Sequence, residues 1–327
     1  MNKVTDGIKR ISLGCFPTPL KELGNIGKEF KDNQKVYIKR DDMTGISLGG
    51  NKVRKLEYIL AEAIENGYDT IITTGGAQSN HATITAACCR KLGLDVRLVL
   101  QGEGVMDTKG NLLLDDIMDV PVEFVMSSDF RDVYSRIKEV CNELEQKGKK
   151  PYSIPVGGSM GIGVLGYIDG MYELFDQLMD EQKEKLHIVS CTGSGGTLAG
   201  IILGAKLISP KTKVTGILIG EDLSCKDGIM KLIEESCQIL GIKNPVSLED
   251  IVIKEYYGAG YAIPSKMGND AIKKLAKTEG IFVDPVYTGK TFGGILDLNK
   301  NGYFDNDENI VFIHSGGAAA LFAISME

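Results

Sequence analysis

Short apolar runs alternate with segments whose apolar positions recur at three- and four-residue spacing along most of the chain. Thr70–Thr74 (TIITT) reads as a buried strand, Ala82–Leu92 as a helix closed by Gly93, and Val96–Leu100 as the next strand. Val122–Val125 is a further strand. The helix after it carries Val133, Ile137, Val140 and Leu144 on one face, at spacings of 4, 3 and 4. Tyr152–Val156, His187–Cys191, Val214–Ile219, Ile251–Glu255 and Ile310–His314 are expected strands, with helical patterns between most of them. Earlier, Val53, Leu56, Leu60 and Ile64 predict a helix that starts near Lys52 and stops at Asn66-Gly67. Strands alternating with helices predict an α/β fold whose parallel sheets are covered on both faces. In such sheets ligands sit beyond the carboxyl ends of strands, so the loops that follow strands are where chemistry is expected.

With 327 residues the chain is long enough for about two domains. No proline-rich or serine-rich linker and no internal repeat marks a boundary. Acidic residues outnumber basic ones by 44 to 37, a net charge of −7, which argues against nucleic acid or a polybasic membrane anchor as partner. No apolar run is long enough to span a membrane, and the first twenty residues lack the apolar stretch of a secretory signal. The seven cysteines are odd in number and form no CxxC framework, so reduced thiols in a cytoplasm are expected. With three histidines and no HExxH, no zinc or other metal site is expected.

Four glycine-rich segments stand out. Ser47-Leu48-Gly49-Gly50-Asn51-Lys52 leads into a helix, so Lys52 falls in a first turn, where the helix dipole disfavours a cation. The neutral amine, the form that attacks a carbonyl carbon, is favoured there; a solvated surface lysine is the plain alternative. Thr74–His81 (TGGAQSNH) directly follows a strand. Ser79 is a natural N-cap for the next helix, and the turn suits a carboxylate ligand. Cys191–Thr197 (CTGSGGT) joins the strand HIVSC to the helical LAGIILGAKLI, and its successive N–H groups suit a phosphate. Gly161–Gly166 is a literal GxGxxG, but no acidic residue ends the next strand as a dinucleotide site requires, so these glycines read as close packing. Gly289-Lys290-Thr291 resembles the end of a Walker loop, whose first glycine would fall on Asp284. Asp297–Glu308 (DLNKNGYFDNDE) fits the EF-hand calcium loop, yet a strand-like NIVFI follows it, so a polar turn is expected and a weak calcium site stays open.

In this order the segments resemble the pyridoxal-phosphate enzymes of the tryptophan-synthase-β fold type. More closely they resemble the branch that holds D-cysteine desulfhydrase and 1-aminocyclopropane-1-carboxylate deaminase. The resemblance runs through Phe16-Pro17-Thr18-Pro19-Leu20, Lys39-Arg40-Asp41-Asp42, Gly49–Glu57, the GGAQSNHA stretch from Gly75, and Gly166-Tyr167. It continues through the TGSGGT loop, Asp284-Pro285-Val286-Tyr287 and His314-Ser315-Gly316-Gly317, and so covers nearly the whole chain. It implies two domains, each an open, mostly parallel twisted sheet with helices on both faces. The smaller would be residues 48–165 and the larger 1–47 plus 166–327, with the active site between them, in a homodimer.

The resemblance also implies roles. Lys52 would hold the cofactor covalently and Asn80 would bond its phenolic oxygen. Gly193, Ser194, Gly195, Gly196 and Thr197 would cradle its phosphate. Ser79, Asn80 and His81 would lie near the substrate carboxylate, and Lys52, Ser79, Tyr261 and Tyr287 would be catalytic. Where the deaminase pattern has an acidic residue after the DPVY tyrosine, this chain has Thr288; where it has leucine after the final histidine, this chain has Ser315. Both departures imply hydroxyls at the cofactor's pyridine nitrogen and point to the desulfhydrase side. The implied reaction is β-elimination of D-cysteine, a small amino-acid substrate, to pyruvate, hydrogen sulfide and ammonia. A cyclopropane-amino-acid deaminase or a cysteate sulfo-lyase are the alternatives within the group. A dinucleotide-dependent oxidoreductase rests only on the Gly161 motif, and a calcium-binding module only on the Asp297 loop.

Overall fold

The computed structural model describes residues 3–31, 34–102, 107–221 and 225–326. Ten strands occur among these: β1 (Leu20–Glu22), β2 (Val36–Lys39), β3 (Thr70–Thr73), β4 (Asp95–Gly102), β5 (Val122–Met126), β6 (Pro151–Ile154), β7 (Leu186–Thr192), β8 (Lys213–Leu218), β9 (Val252–Glu255) and β10 (Asn309–Ile313). They form a four-stranded sheet in the order β5-β4-β3-β6 and a six-stranded sheet in the order β1-β2-β10-β7-β8-β9. Every pair is parallel except β1 with β2. The chain is thus α/β, with two mostly parallel sheets flanked by helices. The larger sheet takes strands from both ends of the sequence.

The central strands are buried on both faces, as parallel strands under helices must be. All seven residues of β7 are buried, with Ile188 opposite Val311 of β10 and Val214 of β8. In the smaller sheet Ile71 lies between Val96 and Tyr152. The amphipathic helix Phe130–Gln146 buries the predicted Val133, Ile137, Val140 and Leu144. Strands β1 and β2 come in addition to those the sequence predicts.

Helix Lys52–Glu65 is buried almost all round and includes Arg54, Lys55 and Glu57 in its buried set. It packs against helix Gly161–Gln177 so closely that a Cβ on Gly166 would stand 2.1 Å from the Arg54 carbonyl oxygen. A Cβ on Gly163 would meet the Gly158 carbonyl at 2.6 Å. The GxGxxG glycines therefore serve helix contact, as expected. The calcium-loop pattern is broken in space: Asp297–Lys300 belong to helix Thr288–Lys300, and β10 begins right after Glu308. The Asp297 carboxylate accepts from Tyr256 Oη at 2.8 Å, and Glu308 faces His187 Nδ1 at 3.2 Å and Lys213 Nζ at 2.6 Å. Among the described residues, no helix is long and apolar enough to cross a membrane.

Candidate active site

The carboxyl ends of strands from both sheets converge on one cleft that encloses about 830 Å³ of space open to solvent. The smaller sheet contributes Gly75, Gly76, Ser79, Asn80 and His81 after β3, and Val156 and Gly157 after β6. The larger contributes Cys191 and Thr192 at the end of β7, Gly193, Ser194, Gly195, Thr197 and Leu198 after it, Ile219 after β8, and Ser315 and Gly316 after β10. Asn51, Lys52, Phe130, Tyr261 and Tyr287 complete the wall, which among the described residues holds no aspartate or glutamate.

Lys52 opens its helix, as the periodicity predicts. Burial pushes its amine below the ordinary lysine value, and the Cys191 thiol is the one group that counters this. Lys55, one turn on, is fully buried, and burial beside Lys52 pushes its amine down further. Lys55 Nζ donates to the Gly157 carbonyl at 2.6 Å and lies 3.4 Å from Ser159 Oγ. Ser159 Oγ accepts from the Gly196 N–H at 3.2 Å and donates to Ser194 Oγ at 2.8 Å. The loop after β6 is thereby stitched to the glycine loop after β7. The N-cap of helix Gly196–Ile208 is Gly195, in the left-handed region at φ 82°, which has no side chain to cap the amides that follow. Two lysine amines, a glycine-rich helix start and, among the described residues, no acidic residue in the wall suit an anion.

Ser79 caps helix Asn80–Leu92, accepting from the Ala82 N–H at 3.3 Å. The Thr73 hydroxyl donates to the Ile154 carbonyl at 2.9 Å, so it accepts from His81 Nε2 at 2.8 Å. This leaves His81 Nδ1 as a buried acceptor without a protein partner. Burial, reinforced by the two lysines, holds the imidazole neutral. At the mouth the Tyr261 and Tyr287 hydroxyls lie 2.6 Å apart. Withdrawal from water raises both phenols, so both are protonated near neutral pH.

Lys52, Ser79, Asn80, His81, Gly193, Ser194, Gly195, Thr197, Tyr261, Tyr287 and Ser315 all line the cleft. Two expected residues do not. Gly196 lies behind the wall, against Ser159 and Lys55. Thr288 is fully buried, and its hydroxyl donates to Asp284 Oδ1 at 2.6 Å. Thr288, expected at the pyridine nitrogen, here opens a helix, and its N–H and hydroxyl join the Val286 and Tyr287 N–H groups in wrapping the Asp284 carboxylate. Ser315 remains in the cleft, with its Oγ 3.2 Å from Cys191 Sγ. Lys55, Ser159 and Cys191 were missed from the sequence. The three-residue spacing of Lys52 and Lys55, which puts both on one helix face, was the available signal.

The residues fit pyridoxal phosphate. An unpaired lysine with a depressed amine stands beside a phosphate-sized anion cradle, as a covalently held aldehyde cofactor requires. Comparison with known proteins agrees. Residues 11–316 match the model of the pyridoxal-phosphate dependent enzyme family, and the chain belongs to that family. It is 40% identical over 314 residues to a Pyrococcus abyssi protein provisionally named a 1-aminocyclopropane-1-carboxylate deaminase, covering 96% of this chain and 93% of that one. It is 37% identical over 321 residues to the D-cysteine desulfhydrase of Salmonella typhi, covering 96% and 95%. A solved structure described as an ACC deaminase homologue superposes with a TM-score of 0.91 at 38% identity, covering 98% of this chain and 95% of that one. O-ureido-L-serine synthase, at 17% identity and TM-score 0.66 over 98% and 93% of the two chains, shares the fold alone. The chain is thus a pyridoxal-phosphate-dependent enzyme of the lyase kind.

Proposed function

We propose that this enzyme eliminates the β-substituent of D-cysteine, releasing pyruvate, hydrogen sulfide and ammonia. The observation that carries the reading is that, among the described residues, the cleft wall has no carboxylate and Ser315 and Cys191 stand together in it. Bound pyridoxal phosphate supplies an electron sink for the pair released at the substrate's α-carbon. A carboxylate at its ring nitrogen would keep that nitrogen protonated and the sink strong. A hydroxyl donates only a hydrogen bond. Burial raises the Cys191 thiol, so it stays protonated and is able to donate to Ser315 Oγ, 3.2 Å away, although either group can be the donor in that pair. With the thiol as donor, the Ser315 proton is free to donate into the cleft, to an unprotonated nitrogen. A weaker sink suits expulsion of a good leaving group such as thiolate better than opening of a cyclopropane ring.

The other roles follow the same proposal. Lys52 would hold the cofactor, and its amine, which burial favours in the neutral form, would be the base for the substrate's α-proton. Gly193, Ser194, Gly195 and Thr197 bind the phosphate, with Gly196 and Lys55 behind them. Asn80 bonds the phenolic oxygen. The start of helix Asn80–Leu92, with Ser79 and His81, receives the substrate carboxylate. The Tyr261–Tyr287 pair is protonated and placed to give a proton to the departing sulfur. The site lies between a smaller domain, residues 48–165, and a larger one, residues 1–47 plus 166–327, in a homodimeric enzyme of the cytoplasm. The four-stranded sheet within residues 70–154 supports that division.

The test is a substrate panel on the holoenzyme: D- and L-cysteine, β-chloroalanine, cysteate and the cyclopropane amino acid, read as 2-oxo acid and sulfide release. D-cysteine should turn over best. Efficient opening of the cyclopropane ring, the reaction in the Pyrococcus relative's name, would refute the argument from the wall.

A further inference from the structure

Lys290, the lysine of the Gly289-Lys290-Thr291 triplet, is 1% exposed and does not line the cleft. It lies in the first turn of helix Thr288–Lys300, where burial and the helix dipole both disfavour a cation. Its Nζ donates to the main-chain carbonyls of Gly260 at 2.7 Å and Tyr257 at 2.8 Å, and lies 3.4 Å from that of Ile219. An ammonium has three N–H bonds, and three carbonyls face them. Burial lowers the amine to about 8, with the Asp284 charge opposing, so near neutral pH it is mostly the ammonium.

The carbonyls belong to segments that end at the cleft. Ile219 lines it after β8, and Gly260 immediately precedes Tyr261. Residues 256–265 bridge β9 and helix Lys266–Glu279. Within this bridge Ala262 sits at φ 58°, a left-handed value that alanine rarely adopts, so the turn beside Tyr261 has to be held by its surroundings. Helix Thr288–Lys300 supplies the hold. Asp297 accepts from Tyr256 Oη at 2.8 Å where the bridge begins, and Lys290 grips it at Tyr257 and Gly260. The same helix has Tyr287 as its N-cap residue. One rigid element therefore carries one tyrosine at its head and the other through an ammonium, and the two hydroxyls meet at 2.6 Å.

We propose that Lys290 is a positioning residue: by holding the Tyr257 and Gly260 carbonyls it keeps Tyr261 against Tyr287 at the cleft mouth. Its consequence for turnover rests on the reading that this pair gives a proton to the departing sulfur. When the bond from Cβ to sulfur breaks, its electron pair goes to sulfur, which takes a phenol proton and leaves as hydrogen sulfide. Chloride leaves β-chloroalanine as a stable anion and needs no proton. Lys290 thus acts on the leaving group and not on cofactor retention.

The test compares wild type, Lys290→Met and Tyr261→Phe as holoenzymes. Hydrogen exchange gives a readout independent of turnover: amides of residues 257–263 should exchange at least ~10-fold faster in Lys290→Met, while those of helix Thr288–Lys300 keep wild-type rates. On D-cysteine, kcat should fall ~10²-fold, toward that of Tyr261→Phe, with cofactor content and absorption band unchanged and β-chloroalanine turnover within ~3-fold of wild type. The double variant should be no slower on D-cysteine than Tyr261→Phe alone, because Lys290 acts through that hydroxyl. Lys290→Gln, a milder change that keeps an N–H donor, should show the same pattern with a smaller loss, and serves if the methionine variant does not fold. Unchanged exchange in residues 257–263 overturns the proposal. So does faster exchange spread equally over the helix, or an equal loss on both substrates. If Tyr261→Phe turns over D-cysteine at the wild-type rate, the proton-donor reading fails, and the exchange rates alone decide whether Lys290 holds the loop.

Discussion

Two residues past Lys52, Arg54 ties the catalytic helix to the rest of the larger sheet's polar interior. Its Nε and Nη2 both reach the Asp41 carboxylate at 2.8 Å, and Nη1 and Nη2 reach Glu173 at 3.0 and 2.8 Å. Its guanidinium carbon lies 4.4 Å from the Phe16 ring centre. Arg54→Met keeps the apolar length but strands two carboxylates with Lys39 as the remaining cation. Asp41, held mainly by Arg54 against its own burial, sits at about 2 where the free side chain has 3.8. That shift alone is worth about 2 kcal/mol near neutral pH. Breaking a buried pair by removing one partner costs about 3–5 kcal/mol. Urea unfolding of the holoenzyme at pH 7 should therefore lose about 3–5 kcal/mol with the slope unchanged. The sign with pH is fixed by the depressed carboxyl. Its contribution is present above 3.8 and fades as pH falls toward 2, so the gap between wild type and variant should narrow below pH 4. Arg54→Lys, which keeps charge but not the fork, should fall between. A loss under about 1 kcal/mol, or a gap that does not change between pH 7 and pH 3, would refute the argument.

Lys52→Ala should abolish turnover and covalent attachment while the phosphate cradle still binds cofactor; borohydride reduction followed by mass measurement reads this directly. Gly195→Asp sets a carboxylate in the cradle at a position with φ 82°, and cofactor content after dialysis should drop at least ~10-fold. Thr288→Val removes one of the four donors to Asp284 and should cost about 1–2 kcal/mol of stability without moving the cofactor's absorption band, whereas Ser315→Ala should move it. Calcium at ~1 mM should leave the melting midpoint within about 1 °C, because Asp297 and Glu308 are already bound to Tyr256 and to His187 with Lys213.

Nine of the ten strands described are parallel or pair with parallel neighbours, and eight were legible as apolar runs because parallel strands under helices must be apolar on both faces. β1 and β2 were not. Leu20–Glu22 is short and largely exposed, and Lys39 at the end of β2 is a buried lysine that breaks the apolar signal. The same cause hid the full burial of helix Lys52–Glu65: Arg54, Lys55 and Glu57 look like a solvated face until their partners come in from distant segments. Glycine loops after strands were readable because the cleft is made of backbone, and backbone geometry leaves a mark in glycines and caps. The direction of a side chain leaves no such mark. Thr288 and Ser315 were equal candidates as letters, and only the capture of Thr288 by Asp284, four residues back across the helix start, separates them. That leaves the reaction argument on a single hydroxyl, Ser315, and on the thiol beside it. If Cys191 donates to Ser315, then the chain has built a neutral donor pair where a carboxylate would fit, and leaving-group chemistry rather than ring opening is what such a pair selects.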